Sequence, residues 1–157
     1  VQNLLTQQDI LTLVPNRYPF LMLDRILELD PGKSGVGLKN VTANEAYFKG
    51  HFPDLKVMPG VMVIEACAQL IAVVCRSVGL LEAKSRGTAA DWEPSPKIEY
   101  IASIERFKFI KPIVPGDQLI LEVEVGKKFQ QLLRTTVRAR VRKDLVAEGV
   151  MIATSRS

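Results

Sequence analysis

Histidine occurs once in this chain, as His51, and cysteine twice, as Cys67 and Cys75. One imidazole and two thiols set too far apart along a helix to meet leave no metal-binding spacing, so no metal is expected. Both cysteines fall in an apolar run and read as buried free thiols, which fits a reducing compartment. Charge of one sign is never concentrated: 21 Lys and Arg against 17 Asp and Glu leave a net charge of +4. No block of like charges appears, so a nucleic-acid partner is not expected. No charged segment followed by an apolar core opens the chain, so no secretory signal is read in these residues. A cytoplasmic location is expected, or a plastid-type organelle if a leader preceded Val1. Repeats and low-complexity tracts are also missing. The length of 157 residues suits one domain, 1–157.

What is present is ordered by periodicity. The stretch from Leu4 to Val14 opens with Thr6 and Asp9 at cap and N3 spacing, and predicts a short helix ended by Pro15. Phe20 to Asp30 and Val36 to Thr42, around a Pro31–Gly35 turn, read as a hairpin. Val61 to Val78 is a long helix candidate, and Leu80 to Pro96 a loop. Period two then takes over, with strands expected at Ile98–Ile110, Gln118–Val125, Gln131–Arg142 and Leu145–Thr154. In the third, Arg134, Thr136, Arg138, Arg140 and Arg142 face one way and Thr135, Val137, Ala139 and Val141 the other. The arginine row reads as the solvated face of an antiparallel sheet. The order predicts an α+β fold in which the sheet covers a single very apolar helix.

That helix carries a polar seam. From Val61 to Cys75 the polar residues are Glu65 and Gln69, four apart and so on one face. Membrane insertion is not expected, because the run is about fifteen residues long and a span needs roughly 20. Burying an unpaired carboxylate costs several kcal/mol unless it is neutralised or hydrogen-bonded. A buried carboxyl group kept protonated suits a general acid; one held by neighbours is structural. His51 shifts the balance. It sits in "GHFP", a short loop before "VMPG", where Pro59 is placed at the first helical position and Gly60 lets a ligand oxygen approach its N–H. A helix start favours negative charge, as an oxyanion hole does. A base, an anion site and an acid thus converge.

The stretches "NRYPFLMLDRI", "GHFPDLKVMPGVMVIEACAQ" and "FKFIKPIVPGDQL" together resemble the β-hydroxyacyl-acyl-carrier-protein dehydratases of type II fatty acid synthesis. The resemblance implies a hotdog fold: a long central helix wrapped by an antiparallel sheet of about five to six strands. It implies homodimers, commonly trimers of dimers, with each site shared between subunits. Carried over, His51 and the partner subunit's Glu65 form the catalytic pair, and the backbone N–H groups of His51 and Gly60 polarise the thioester carbonyl. Phe52, Pro59, Val61, Gln69 and Tyr100 are expected along the acyl tunnel. The implied reaction is dehydration of a (3R)-hydroxyacyl thioester to the trans-2-enoyl thioester, in fatty acid, or related polyketide or polyene, biosynthesis. The thioester is carried on an acyl carrier protein docking on a basic rim of Arg106, Lys108, Lys111, Lys127 and Lys128. No cofactor is implied.

The chain departs from that pattern in several places. Asn16 stands where members usually have histidine. Asp54 and Lys56 replace the Gly-x-Pro after GHFP, which frees the loop carrying His51. Ile71 and Ala72 replace a small glycine pair, and the loop from Leu80 to Pro96 is longer than the family's. Two other readings use the same residues: a hotdog thioesterase with Glu65 activating water, or a non-catalytic partner in a mixed dimer.

Overall fold

The computed structural model describes residues 5–94 and 99–155. The elements run α1 (Gln7–Leu13), β1 (Arg25–Asp30), β2 (Ser34–Asn40), α2 (Gly60–Ser85), β3 (Glu99–Phe109), β4 (Gln118–Phe129), β5 (Leu132–Val141) and β6 (Asp144–Ser155). Two 3-10 turns, Ala46–Lys49 and Ala89–Asp91, lie on either side of α2. The six strands form one antiparallel sheet in the order β1-β2-β4-β5-β6-β3. Helix α2 packs on one face of it, and the expected α+β architecture is what forms.

Alternation decides which side of each strand meets the helix. On β4, Leu119, Leu121 and Val123 are buried; on β5, Thr135, Val137 and Ala139. They meet Val63, Ala66, Cys67, Leu70, Val73 and Val74 of α2. Burial pushes the Cys67 thiol up to about 12, so it stays an inert core group. The inward row of β2 is Gly35, Gly37 and Lys39. A Cβ at Gly35 would stand 2.7 Å from a Val74 methyl, so the glycine lets sheet and helix close on each other. The opposite face of β5 carries the arginines, and two are matched to acids. Arg134 reaches Glu105 at 2.7 Å and Arg140 reaches Glu122 at 2.9 Å. This is a solvated sheet face, as read from the sequence.

Several boundaries differ from expectation: β2 is Ser34–Asn40 instead of Val36–Thr42, and β4 runs on to Phe129 past Val125. Strand β1 starts at Arg25, not Phe20, because Phe20 and Met22 give backbone groups to the Gln69 side chain instead of to the sheet. Helix α2 does not stop at Val78. The segment "LLEAKS" is made of good helix formers, and Lys84 reaches back to Asp9 on α1 at 2.7 Å, so the helix runs to Ser85. Trp92 then packs against Gly79. Much of the expected Leu80–Pro96 loop is therefore ordered; Pro96, and the expected strand start Ile98, lie outside the described residues. Arg142 sits in the β5–β6 turn at φ 56, so it is not part of the arginine row. The longer helix also removes the length argument against a membrane span: at 26 residues α2 is long and apolar enough to cross by length and composition. What speaks against insertion is packing, since the helix forms the core contact with the sheet.

Asp9 ties the two helices. Burial works to raise its pKa, but hydrogen bonds from Lys84 and from Thr6 outweigh it, and the carboxyl sits below its ordinary value. A lowered folded-state value stabilises the fold above the unfolded value of about 3.9, and this is lost as pH falls through the folded value. Asp9→Asn is expected to lower stability by about 1–2 kcal/mol at pH 7, the range for a capping interaction. Denaturant unfolding across pH checks it: the gap to wild type should shrink below about pH 4, and a gap constant to pH 2 would refute the assignment.

Candidate functional site

The loop bearing His51 is anchored from behind. Lys39, on the inward row of β2, meets Glu45 at 2.6 Å with side chains 6% and 18% exposed. Glu45 is the N-cap of the Ala46–Lys49 turn, whose Phe48 is buried at 1%. A buried pair of this kind is costly to break, because either charge left alone is stranded in the interior. The chain then reaches His51, whose backbone N–H donates to the Tyr47 carbonyl at 3.0 Å. His51 and Val57 bond twice: Val57 N–H to the His51 carbonyl at 3.2 Å, and His51 Nδ1 with the Val57 carbonyl at 2.8 Å. Phe52 and Leu55 exchange backbone bonds at 2.8 and 3.2 Å. These bonds close the loop despite Asp54 and Lys56. A carbonyl can only accept, so Nδ1 carries the proton and Nε2 keeps its lone pair. The Phe52 ring stacks on the imidazole with centroids 4.3 Å apart.

Nine residues after His51, α2 begins. Pro59 is the N-cap and Gly60 the first helical residue, one position later than expected for the proline. No side chain caps the helix, and among the described residues the N–H groups of Gly60 and Val61 have no acceptor. Glycine is required at 60 for packing: a Cβ there would lie 2.7 Å from the Phe109 ring. The His51 N–H was expected to join this anion site. It does not, because the Tyr47 carbonyl already takes it.

One turn further, Glu65 is half-buried and Gln69 is 3% exposed. Every polar atom of Gln69 is in use. Its Oε1 accepts from Met22 N–H at 2.8 Å; its Nε2 donates to the Phe20 carbonyl and to Glu65 Oε1, both at 2.8 Å. Asn16 Nδ2 donates to the same Glu65 oxygen at 3.3 Å. The carboxylate is thus held by neighbours.

Within one chain His51 and Glu65 are not joined: each has its own partners, and no hydrogen bond links them among the described residues. Nor does one chain enclose the expected tunnel. Phe52, Val61 and Tyr100 are 53%, 70% and 49% exposed. Pro59 is half-buried at the helix start. Gln69 faces the Phe20–Met22 segment and acts on Glu65. Tyr100 and Phe109 stand at opposite ends of β3, roughly 30 Å apart at the usual rise, so Tyr100 is far from Gly60 in its own chain. A cleft of about 530 Å³ lies between the Tyr18–Met22 segment and the Lys39–Tyr47 segment, with Met62 in its wall; neither His51 nor Glu65 lines it. Among the described residues no cluster of metal-ligating side chains occurs.

Four contributors escaped the sequence reading. Lys39 and Phe109 had a signal. Lys39 shares the inward row with Gly35 and Gly37, and an inward lysine needs an acid. Phe109 is one of two aromatics two apart at the end of a strand. Asn16 and Glu45 had none, since their partners are remote or ambiguous along the chain.

The β3 edge is bare. Ile104 is 46% exposed, Phe109 54% and Ile110 48%. Arg106 and Lys108 are exposed on the same strand, and an edge strand whose backbone groups are unpaired among the described residues is a surface that another strand can cover. Of the basic residues expected at a docking rim, Lys111 pairs with Asp144 at 2.9 Å; Arg106 and Lys108 are exposed along β3, and Lys127 and Lys128 near the β4–β5 hairpin.

Comparison with known proteins adds three facts. Residues 14–155 match the FabA-like domain family. Curated relatives carry the name 3-hydroxyacyl-[acyl-carrier-protein] dehydratase FabZ. That of Roseiflexus sp. (strain RS-1) is 43% identical over 149 residues, covering 95% of both chains. That of Herpetosiphon aurantiacus is 44% identical over 146 residues, covering 93% of this chain and 94% of its own. Among solved structures, the dehydratase heterocomplex ApeI:P from Xenorhabdus doucetiae superposes with a TM-score of 0.73 at 13% identity, covering 94% of this chain and 91% of the other. A hypothetical thioesterase from Streptococcus pneumoniae, solved with coenzyme A, gives 0.59 at 12% identity, covering 85% of each; both likenesses speak to the fold alone. Matched by the family from Val14 to Ser155 and by relatives across nearly its whole length, this chain belongs to the FabA-like family and has the hotdog fold.

Proposed function

We propose that the chain, a single domain over 1–157, dehydrates (3R)-hydroxyacyl thioesters on an acyl carrier protein to trans-2-enoyl thioesters in fatty acid biosynthesis. The observation that carries this is the His51 ring. With its Nδ1 proton committed to the Val57 carbonyl, Nε2 is the free base, and it stands one short loop before the uncapped start of α2. The relatives named above, at 43% and 44% identity, bear the name of that activity.

The steps balance without a cofactor. His51 Nε2 takes the proton from C2 of the substrate, next to the thioester carbonyl. The carbonyl oxygen gains charge and is held by the free N–H groups at Gly60 and Val61. The electron pair forms the C2=C3 double bond as the C3–O bond breaks. The partner subunit's Glu65 enters the step as the neutral acid with its proton on Oε2, the oxygen that no donor holds among the described residues. It gives that proton to the departing hydroxyl, water leaves, and the proton taken by His51 returns to the carboxylate to close the cycle.

The two groups come from different subunits in this reading. Its support is that no hydrogen bond joins His51 to Glu65 among the described residues, together with the exposed Ile104 and Phe109 on the β3 edge. Antiparallel pairing of two β3 strands about a dyad near Ile104 would carry the partner subunit's Tyr100 towards Lys108 and Phe109, and so towards Gly60. Larger rings, such as trimers of dimers, would build on that dimer. The acyl carrier protein would approach the exposed Arg106, Lys108, Lys127 and Lys128, leaving Lys111 to its acid. A cytoplasmic site fits the bacterial relatives, which lend the plastid alternative no support. A thioesterase reading rests on fold likeness alone, and a non-catalytic partner would not need both His51 and Glu65.

His51→Ala and Glu65→Gln are each expected to lower kcat on hydroxyacyl thioesters by about 10²–10⁴-fold, the usual worth of a positioned acid or base. Wild-type turnover in either would remove that residue from the chemistry. Unfolding and refolding the two inactive variants together should recover roughly a quarter of wild-type activity, because random pairing makes half the dimers mixed, each with one complete site. No recovery would exclude a shared site. Ile104→Lys is expected to yield monomers in sedimentation, with activity lost alongside.

A further inference from the structure

Glu65 is held asymmetrically. Both of its donors, Gln69 Nε2 and Asn16 Nδ2, reach Oε1, at 2.8 and 3.3 Å. Oε2 takes no hydrogen bond among the described residues, and it is not sealed off, since the one buried unpaired side-chain polar atom there is the Tyr47 hydroxyl. The orientation of Gln69 is not arbitrary. Met22 offers an N–H and Phe20 a carbonyl, so the Gln69 oxygen must face the first and its nitrogen the second, which turns the remaining N–H towards Glu65. Asn16 is set with equal care. The Arg17 guanidinium beside it donates to the carbonyls of Leu11, Val14 and Asn16 at 2.9, 2.9 and 2.8 Å, closing off α1 and fixing the turn that presents Asn16.

We propose that Asn16 is a positioning residue for Glu65. Together with Gln69 it fixes Oε1 and leaves Oε2 as the oxygen that meets the substrate hydroxyl. The inference rests on the dehydratase reading above and deepens it. Its second part concerns pH. Asn16 is a carboxamide, which donates at every working pH. Charged side chains on the neighbouring elements are already committed. Arg17 holds three carbonyls; Arg76, further along α2, donates to the Leu13 carbonyl at 2.8 Å; Asp24, past the Phe20–Met22 segment, accepts from Asn40 N–H. Neither Gln69 nor Asn16 titrates, so the support of Glu65 within its own chain is independent of pH.

Three substitutions test this in the full chain, with kcat, KM and Tm measured against pH. Asn16→Leu keeps the volume and removes the donor; kcat should fall about tenfold, the worth of one hydrogen bond to a charged group, with KM within twofold and Tm little changed. Asn16→His restores a donor and should recover most of kcat at pH 8. Asn16→Asp turns an acceptor towards Oε1. Its rate relative to wild type should rise as pH falls and a shared proton restores the donor, while the Asn16→Leu ratio stays flat. A wild-type kcat in Asn16→Leu, a loss in KM or Tm instead of kcat, or a flat Asn16→Asp ratio would each overturn the proposal. Should Asn16→Leu fail to fold, the Asn16→Asp ratio and Asn16→His recovery decide alone. A wild-type chain that does not dehydrate hydroxyacyl thioesters would instead end the functional reading beneath it.

Discussion

A carboxylate on an apolar helix needs donors, and here the donors come through one buried carboxamide. Gln69 is bonded at both ends of its amide group to the Phe20–Met22 backbone and still has an N–H for Glu65. This one side chain replaces sheet hydrogen bonds that the chain before β1 gives up. It brings the Asn16 turn alongside α2 and sets the direction of the acid. Its neutral amide is also the cheapest polar group to bury once every atom is paired. The apolar remainder of the helix supplies the driving force for the core; Gln69 decides what that core presents to the substrate.

The opposing base is prepared by a different device. His51 stands on a loop closed by its own backbone, with its ring proton given to Val57. Behind it the buried Lys39–Glu45 pair holds the preceding turn to β2. His51 and Glu65 are therefore each held by their own partners, and no hydrogen bond links them among the described residues. The departures at Asp54 and Lys56 fit this picture, since the loop's closure depends on main-chain bonds and not on the glycine and proline that relatives use.

Much of this was legible beforehand, and where it was not the cause is specific. The Thr6–Asp9 capping box, the β4 to β6 alternation and the Glu65–Gln69 seam are short-range patterns, and the structure follows them. Local pattern ends α2 at Val78 because the stretch from Leu80 to Pro96 is polar and reads as a loop; Lys84 pairing with Asp9, 75 residues away, keeps the helix going. Strand β1 was drawn too long because the apolar Phe20–Leu23 segment looks like strand until its backbone is seen bonded to Gln69. Asn16 was noticed as a departure but not as a partner of Glu65, 49 residues on.

The sequence alone determined element type, inward and outward faces, and the presence of one imidazole and one intruding carboxylate, because each follows from spacing within a few residues. Tertiary structure decided which atoms remain available: Nε2 of His51, Oε2 of Glu65, the N–H groups that open α2, and the bare edge of β3. Availability is what is left after hydrogen bonds between remote segments are made, and those bonds depend on where the folded backbone passes, which no local period encodes.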